Sequence, residues 1–199
     1  MKLNKLVGLS LACAIALTGC STTVERVDAS TVADLSGAWN DTDSQLTAKT
    51  MVADALTRPW FTKHLKETGK APTVIVGRIN NLSHEHINTQ TFISDIEREL
   101  INSGEVEFVA DSTARKEIRE ERGDQDLNAT EETRNAMGQE IGADYMMQGN
   151  INTIIDVNGS DQVRFYQVDL ELVSMKDNRK VWIGQQKIKK LVENSKMRK

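Results

Sequence analysis

The sequence predicts an α/β fold, a single-domain sandwich with a mixed sheet that ends in a three-stranded antiparallel meander, with helices packed on it. Three observations carry the prediction. Between about residues 42 and 141 the apolar residues recur at helical spacing, interrupted by short strand-like runs. Beyond Tyr145 they alternate, and Asn158-Gly159 stands between two alternating runs. These are the marks of amphipathic helices, half-buried strands and a hairpin turn.

Taken in order, Thr42 or Asp43 can cap a first helix whose Ala48, Met51, Val52, Ala55 and Leu56 form one stripe. Pro59 disturbs or ends it, and Lys63 to Thr68 reads as a further helical turn before Gly69 and Pro72. Thr73-Val74-Ile75-Val76 reads as a buried strand, with Gly77 to Asn81 leading out of it. The next helix runs from about Thr89 to Asn102, burying Phe92, Ile93, Ile96 and Leu100, and Ser103-Gly104 stops it. Val106, Phe108 and Val109 form a short strand. Asp111 caps a charged helix from Ser112 to about Arg122, Gly123 to Leu127 reads as a polar loop, and Asn128 with Glu131 suggests a capping box for a helix through Met137 and Ile141.

In the last third, Tyr145, Met147, Gly149, Ile151 and Ile155 share one face of a strand, and Tyr166, Val168, Leu170 and Leu172 share one face of the next. Lys176-Asp177-Asn178 turns into a third strand around Val181 to Ile188. No internal repeat or second domain is apparent.

The 199 residues are 39% hydrophobic and 27% charged, with 12 Gly and 2 Pro, which excludes collagen-like or wholly disordered chains. A formal charge of −4 argues against bulk nucleic-acid binding, which needs a basic excess. Residues 1–19 begin with Lys2 and Lys5, continue in an apolar run from Leu6 to Leu17, and end in small residues, the pattern of a secretory signal peptide. That run is too short to span a bilayer, which takes about 20 apolar residues.

Leu17-Thr18-Gly19-Cys20 resembles the lipobox of bacterial lipoproteins. The resemblance implies cleavage before Cys20 and lipid on its thiol (S-diacylglycerol) and on its new amino group (N-palmitoyl). Cleavage takes Lys2 and Lys5 away, leaving 23 basic against 29 acidic residues and a net charge of −6. Cys13 leaves with the signal and Cys20 becomes a thioether, so disulfides, cysteine nucleophiles and cysteine zinc sites are excluded together. Each buried methylene of an acyl chain contributes about 0.8 kcal/mol, so several chains hold the protein on the membrane. Ser21 follows the cysteine where inner-membrane lipoproteins of many Gram-negative bacteria carry Asp, so the resemblance implies the periplasmic face of the outer membrane. Residues 20–41 read as the lipidated cysteine and a flexible tether, and 42–199 as the globular periplasmic domain. About 20 extended residues reach ~70 Å, against ~25 Å for a flexible chain of that length.

His84-Glu85-His86 could bring two imidazoles to one metal, but no third ligand stands at a diagnostic spacing, so no metal or cofactor is expected. His64 reads as an isolated surface side chain. No Gly-x-Ser-x-Gly, phosphate-binding loop or dinucleotide fingerprint occurs, and the helical acids stand beside Arg98, Lys116, Arg119 and Arg122 at ion-pair spacing. An enzyme is therefore not expected. Lys187, Lys189, Lys190, Lys196, Arg198 and Lys199 make one basic end, read as an edge strand guarded by lysines or as a patch for an acidic partner.

Asp34-Leu35-Ser36-Gly37-Ala38-Trp39-Asn40-Asp41 resembles the opening motif of the LpoB family, lipoprotein activators of penicillin-binding proteins. Gly77-Arg78-Ile79-Asn80-Asn81 followed by His86-Ile87-Asn88-Thr89 is similar to that family's first strand and the loop into its helix. Ile141-Gly142-Ala143-Asp144-Tyr145 with Gly149 resembles its helix-to-strand step, and Lys180-Val181-Trp182 its last strand. The step is shared with the TolB amino-terminal domain and curli secretion lipoproteins. The resemblance implies a monomeric protein that binds and activates a bifunctional class A penicillin-binding protein and so regulates peptidoglycan synthesis. The alternative is a component of a secretion or assembly complex like the curli exporter. Exposed loop residues Arg78, Asn80, Asn81, His84 and His86 are the expected partner contacts. The family's long Pro-rich tether is missing, since no proline precedes Pro59.

Overall fold

A computed structural model describes residues 24–28, 31–133 and 140–193. Its elements are α1 (Asp41–Leu56), α2 (Pro59–Thr68), β1 (Thr73–Asn81), α3 (Thr89–Ser103), β2 (Glu107–Phe108), α4 (Ser112–Asn128), β3 (Tyr145–Asn158), β4 (Asp161–Ser174) and β5 (Lys180–Val192). They build one mixed sheet of order β2-β1-β3-β4-β5. β2, β1 and β3 run parallel, and β3, β4 and β5 form the antiparallel meander.

Helix α1 starts two to three residues earlier than the sequence reading places it. Asn40 is the cap: its side chain accepts from the Asp43 N–H, and Asp43 accepts from the Asn40 N–H. Asp43, read as a cap, is thus the reciprocal third residue of the capping box. The helix buries Ala48, Met51, Val52 and Ala55, and the buried Ser44 hydroxyl donates to Asp95 of α3 at 2.6 Å. Pro59 closes nothing; it opens α2, where its missing N–H costs no hydrogen bond.

His64 is corrected by α2. One helical turn after Trp60, it shares that residue's inward face and is only 7% exposed. Its Nδ1 lies 3.0 Å from the Tyr145 hydroxyl, and Trp60 meets the same tyrosine edge-on. Helix α3 matches its reading, with Phe92, Ile96 and Leu100 buried and Gly104 left-handed at φ 68 as its C-cap.

Helix α4 overturns two readings. Gly123 to Leu127 is its last turn rather than a loop, and Asn128 ends the helix, its amide donating back to Asp124. Thr133 N–H closes a turn on the Thr130 carbonyl, and residues 140–144 are not helical; Met137 lies outside the described residues. No residue of α4 is buried; Arg119 holds Glu140 through two hydrogen bonds of 2.7 and 2.8 Å.

The Ile141-Gly142-Ala143-Asp144-Tyr145 step pins β3 to β1. The Asp144 carboxylate accepts from the Thr73 N–H at 2.9 Å while its own N–H donates to the Thr73 carbonyl at 2.8 Å. The β3–β4 turn sits one residue later than Asn158-Gly159: Asn158 pairs with Asp161, and Gly159-Ser160 forms the loop. Helices α1 and α3 cover one face of the sheet, over Met147, Ile151, Tyr166, Val168, Leu170, Leu172 and Trp182. That covered face fixes Gly149, where a Cβ would run into the Asp169 carbonyl.

Candidate partner-binding surface

β1 positions the first predicted contacts. Its register shifts between Val76 and Ile79, so Val74, Val76 and Ile79 face the core while Arg78 and Asn80 turn to the opposite, open face. Asn80 pairs with Asn150, donating to its side chain at 3.0 Å; Asn150 pairs with Asp169, and Asp169 with Gln185. Gln167 and Gln185 both donate to Asp169. In the neighbouring row Gln148 donates to Glu171 at 2.9 Å, and Lys180 reaches it at 2.5 Å. The Lys180 hydrogen bond, helped by Gln148, holds the Glu171 carboxyl below its usual range. Asn80, Gln148, Asn150, Asp169, Glu171 and Lys180 line a shallow cleft of about 540 Å³. Arg78 is exposed beside it and makes no hydrogen bond or ion pair among the described residues. A guanidinium with five unspent donors suits recognition of a partner's carboxylate or carbonyl groups.

The loop after β1 places the rest elsewhere. The Asn81 amide donates to the Glu85 carbonyl and its oxygen accepts from Ser83, so Asn81 shapes its own turn. His84 is exposed, its N–H donating to Thr153 Oγ at 3.1 Å; His86 is exposed as well. Thr153 belongs to the face of Met147 and Ile151, so the two histidines sit with the covered side of the sheet and Arg78 and Asn80 with the open side. Among the described residues no three His, Cys, Asp or Glu side chains are grouped to hold a metal.

Glu85, between the histidines, was not singled out in the sequence, although alternation in an extended loop turns it opposite to its neighbours. It points inward and holds three groups: the Arg164 guanidinium at 2.9 Å, the Tyr166 hydroxyl at 2.6 Å and the Trp39 N–H at 3.1 Å. Burial, with Glu85 beside it, pushes the Tyr166 hydroxyl far above the usual tyrosine range.

Arg164 and Lys190 are cross-strand neighbours on the covered face, an arrangement of like charges that needs acids between them. Glu85 answers Arg164. Lys190 is answered by the segment before α1 and by that helix's first turn: its ammonium, 9% exposed, donates to Asp34 at 2.5 Å and the Ala38 carbonyl at 3.1 Å in the segment and to Asp43 at 2.6 Å in the helix. All three ammonium hydrogens are used. The Lys190 hydrogen bond holds the Asp34 carboxyl below its usual range. Burial pulls Lys190 down, but the bonds to Asp34 and Asp43 outweigh it and leave it raised.

The same segment packs Trp39 edge-on to Phe92 and Tyr166, with centroids 5.9 and 5.7 Å away. Gly37 offers its carbonyl to Tyr166, and at φ 66 beside Val192 it leaves no room for a Cβ. Asp34 to Asn40, read from the sequence as tether, is therefore a strap bound to the folded unit that begins at Ala33. Lys190, read as an edge or tail lysine, is the strap's buried anchor.

The peptidoglycan-synthase activator LpoB family model matches residues 43–188, from the first turn of α1 to β5. No curated protein matches the chain in sequence. Among solved structures, the C-terminal domain of LpoB from Escherichia coli is 14% identical, with 73% of this chain and 98% of that chain covered and a TM-score of 0.45. Lipoprotein GNA1162 from Neisseria meningitidis is 16% identical, with 63% and 88% covered and a TM-score of 0.42. The family match runs through nearly the whole folded unit, and the chain belongs to the LpoB family of peptidoglycan-synthase activators.

Proposed function

We propose that this chain is a lipoprotein, held through lipidated Cys20 at the periplasmic face of the outer membrane, that binds and activates a bifunctional class A penicillin-binding protein. The family match over residues 43–188 carries the reading. The lipobox Leu17-Thr18-Gly19-Cys20 supports the anchor. No helix among the described residues is long and apolar enough to cross a membrane.

In this reading the protein performs no bond-making step. It binds the synthase's active state more tightly than its resting state, and a tenfold preference shifts that equilibrium by about 1.4 kcal/mol. The open sheet face around Arg78 and Asn80 is the contact surface, because its polar groups pair only with one another and Arg78 is unspent. His84 and His86 form a separate, secondary contact.

The test adds the purified chain to a class A synthase from the same organism and measures glycan polymerisation, cross-linking and co-precipitation. Binding with faster polymerisation is expected; a chain that neither binds nor stimulates any such synthase overturns the reading.

A further inference from the structure

We propose that the strap is slack held in reserve: a pull on the tether opens the loop from Asp34 to Asn40 and lengthens the leash without unfolding the domain. The source of that pull rests on the lipid anchor of the preceding section. The loop is closed at its base. The Asn40 amide donates to Asp34 at 2.6 Å, and the Lys190 ammonium joins Asp34 at 2.5 Å to Asp43 at 2.6 Å. Extended, the chain from Asp34 to Asn40 would span about 20 Å; folded, the side chains at its two ends touch.

The loop is held in a way that lets it open from the tether side. Among the described residues no backbone-to-backbone hydrogen bond joins residues 34–39 to a strand or helix. The ties are single side-chain contacts met in order along the chain: Lys190 on Asp34, Tyr166 on the Gly37 carbonyl, Lys190 on the Ala38 carbonyl and Glu85 on the Trp39 N–H. A pull through Ala33 loads them one after another, whereas a pull along β4 and β5 loads a whole ladder of paired residues at once. Opening also strands no charge. Lys190 keeps Asp43, and Glu85 keeps Arg164 at 2.9 Å and the Tyr166 hydroxyl at 2.6 Å. The penalty for leaving a buried charge unpaired, which would otherwise lock the strap down, does not arise. Leu35 and Ser36 are already in solvent, and Trp39, half-buried against Phe92 and Tyr166, is the last tie.

Reach is what the anchored chain is short of. With the strap closed, the chain from Cys20 to Asp34 spans at most about 50 Å. Opening moves the point of attachment from Asp34 to Asn40 and extends the limit to about 70 Å. The capping box between Asn40 and Asp43 and the buried face of α1 then stop the loss of structure at the helix.

The test stretches single molecules of the chain from Cys20 onward, without lipid, between the Cys20 thiol and Lys176→Cys in the exposed turn that joins β4 to β5. Beyond the strap the load then runs along those two strands. An early, reversible lengthening of about 20 Å is expected before the domain unfolds. Four glycine and serine residues inserted between Leu35 and Ser36 should lengthen that step by about 14 Å. Asp34→Asn, which leaves Lys190 its bond to Asp43, should speed opening about fivefold at the same load. A first step that releases the whole domain overturns the proposal. So does an early step whose length ignores the insertion, or whose rate ignores Asp34→Asn. No lipid takes part in these measurements, so they judge the strap apart from the anchor. A lipidated chain that does not float with phospholipid vesicles overturns the anchor instead, and the leash with it.

Discussion

The two faces of the sheet use polar residues in opposite ways. On the covered face Arg164, Lys190, Glu85 and Asp43 are buried or half-buried, Asp34 meets Lys190 from the surface, and each of these charges is answered by another from the chain itself. On the open face Asn80, Asn150, Asp169, Gln185, Glu171 and Lys180 pair sideways along the sheet surface, while Arg78 has no partner among the described residues. Burial makes the difference. An unpaired charge under helices costs several kcal/mol, so covered polar residues are committed to the fold. Solvated ones are worth little to stability and remain available to a partner.

Substitutions that separate the two faces give the largest contrast. Tyr166→Ala removes a fully buried ring and two hydrogen bonds from the covered face and should lower unfolding free energy by about 4 kcal/mol in urea titration. A loss below about 1 kcal/mol would mean the strap and Glu85 do not depend on it. Lys190→Met keeps the side chain's length but leaves Asp43 and Asp34 without their cation, and should cost about 3 kcal/mol. It should also speed hydrogen exchange at Trp39 and Asn40. Gly37→Ala, forced into a left-handed backbone beside Val192, should cost about 2 kcal/mol by the same titration.

The strap should also respond to pH in a defined window. Asp34 is lowered from its ordinary 3.8, so its contribution is present above that value and lost as pH falls through the lowered one. Lys190 is raised from 10.5, so its contribution holds below that value and is lost as pH rises through the raised one. Trp39 fluorescence, read in a chain whose other tryptophans are replaced by Phe, should stay constant between these limits and move toward solvent-like emission outside them. The smallest stability change belongs to the open face. Arg78→Ala and Asn80→Ala should alter unfolding by less than about 0.5 kcal/mol, yet weaken synthase stimulation. Stimulation unchanged in both would place the contact elsewhere.

Local patterns in the sequence were enough to find α3, the paired strands β3 and β4 and the core-facing residues of each, because burial on one side imposes period on a chain. They misread α4, since a helix that buries nothing carries no stripe and Gly123 looks like a break. His64 was missed although Trp60, one turn before it, marks the inward face. Among the predicted contacts, nearness along the chain suggested one cluster, but the bulge in β1 and the loop after it send Arg78 and Asn80 to one side and His84 and His86 to the other.

The sequence by itself determined the helices α1 and α3, the five strands in their order and the resemblance of Leu17-Thr18-Gly19-Cys20 to a lipobox, because these depend on neighbouring residues. Only the tertiary structure decided that Asp34 to Asn40 is a strap and that Lys190 is its anchor. Residues 34 and 190 are far apart in the chain, and nothing in the pattern around a lysine on an alternating strand says whether an acid from the other end will arrive to meet it. That meeting depends on β5 and α1 packing side by side, where a buried ammonium has to find its partners.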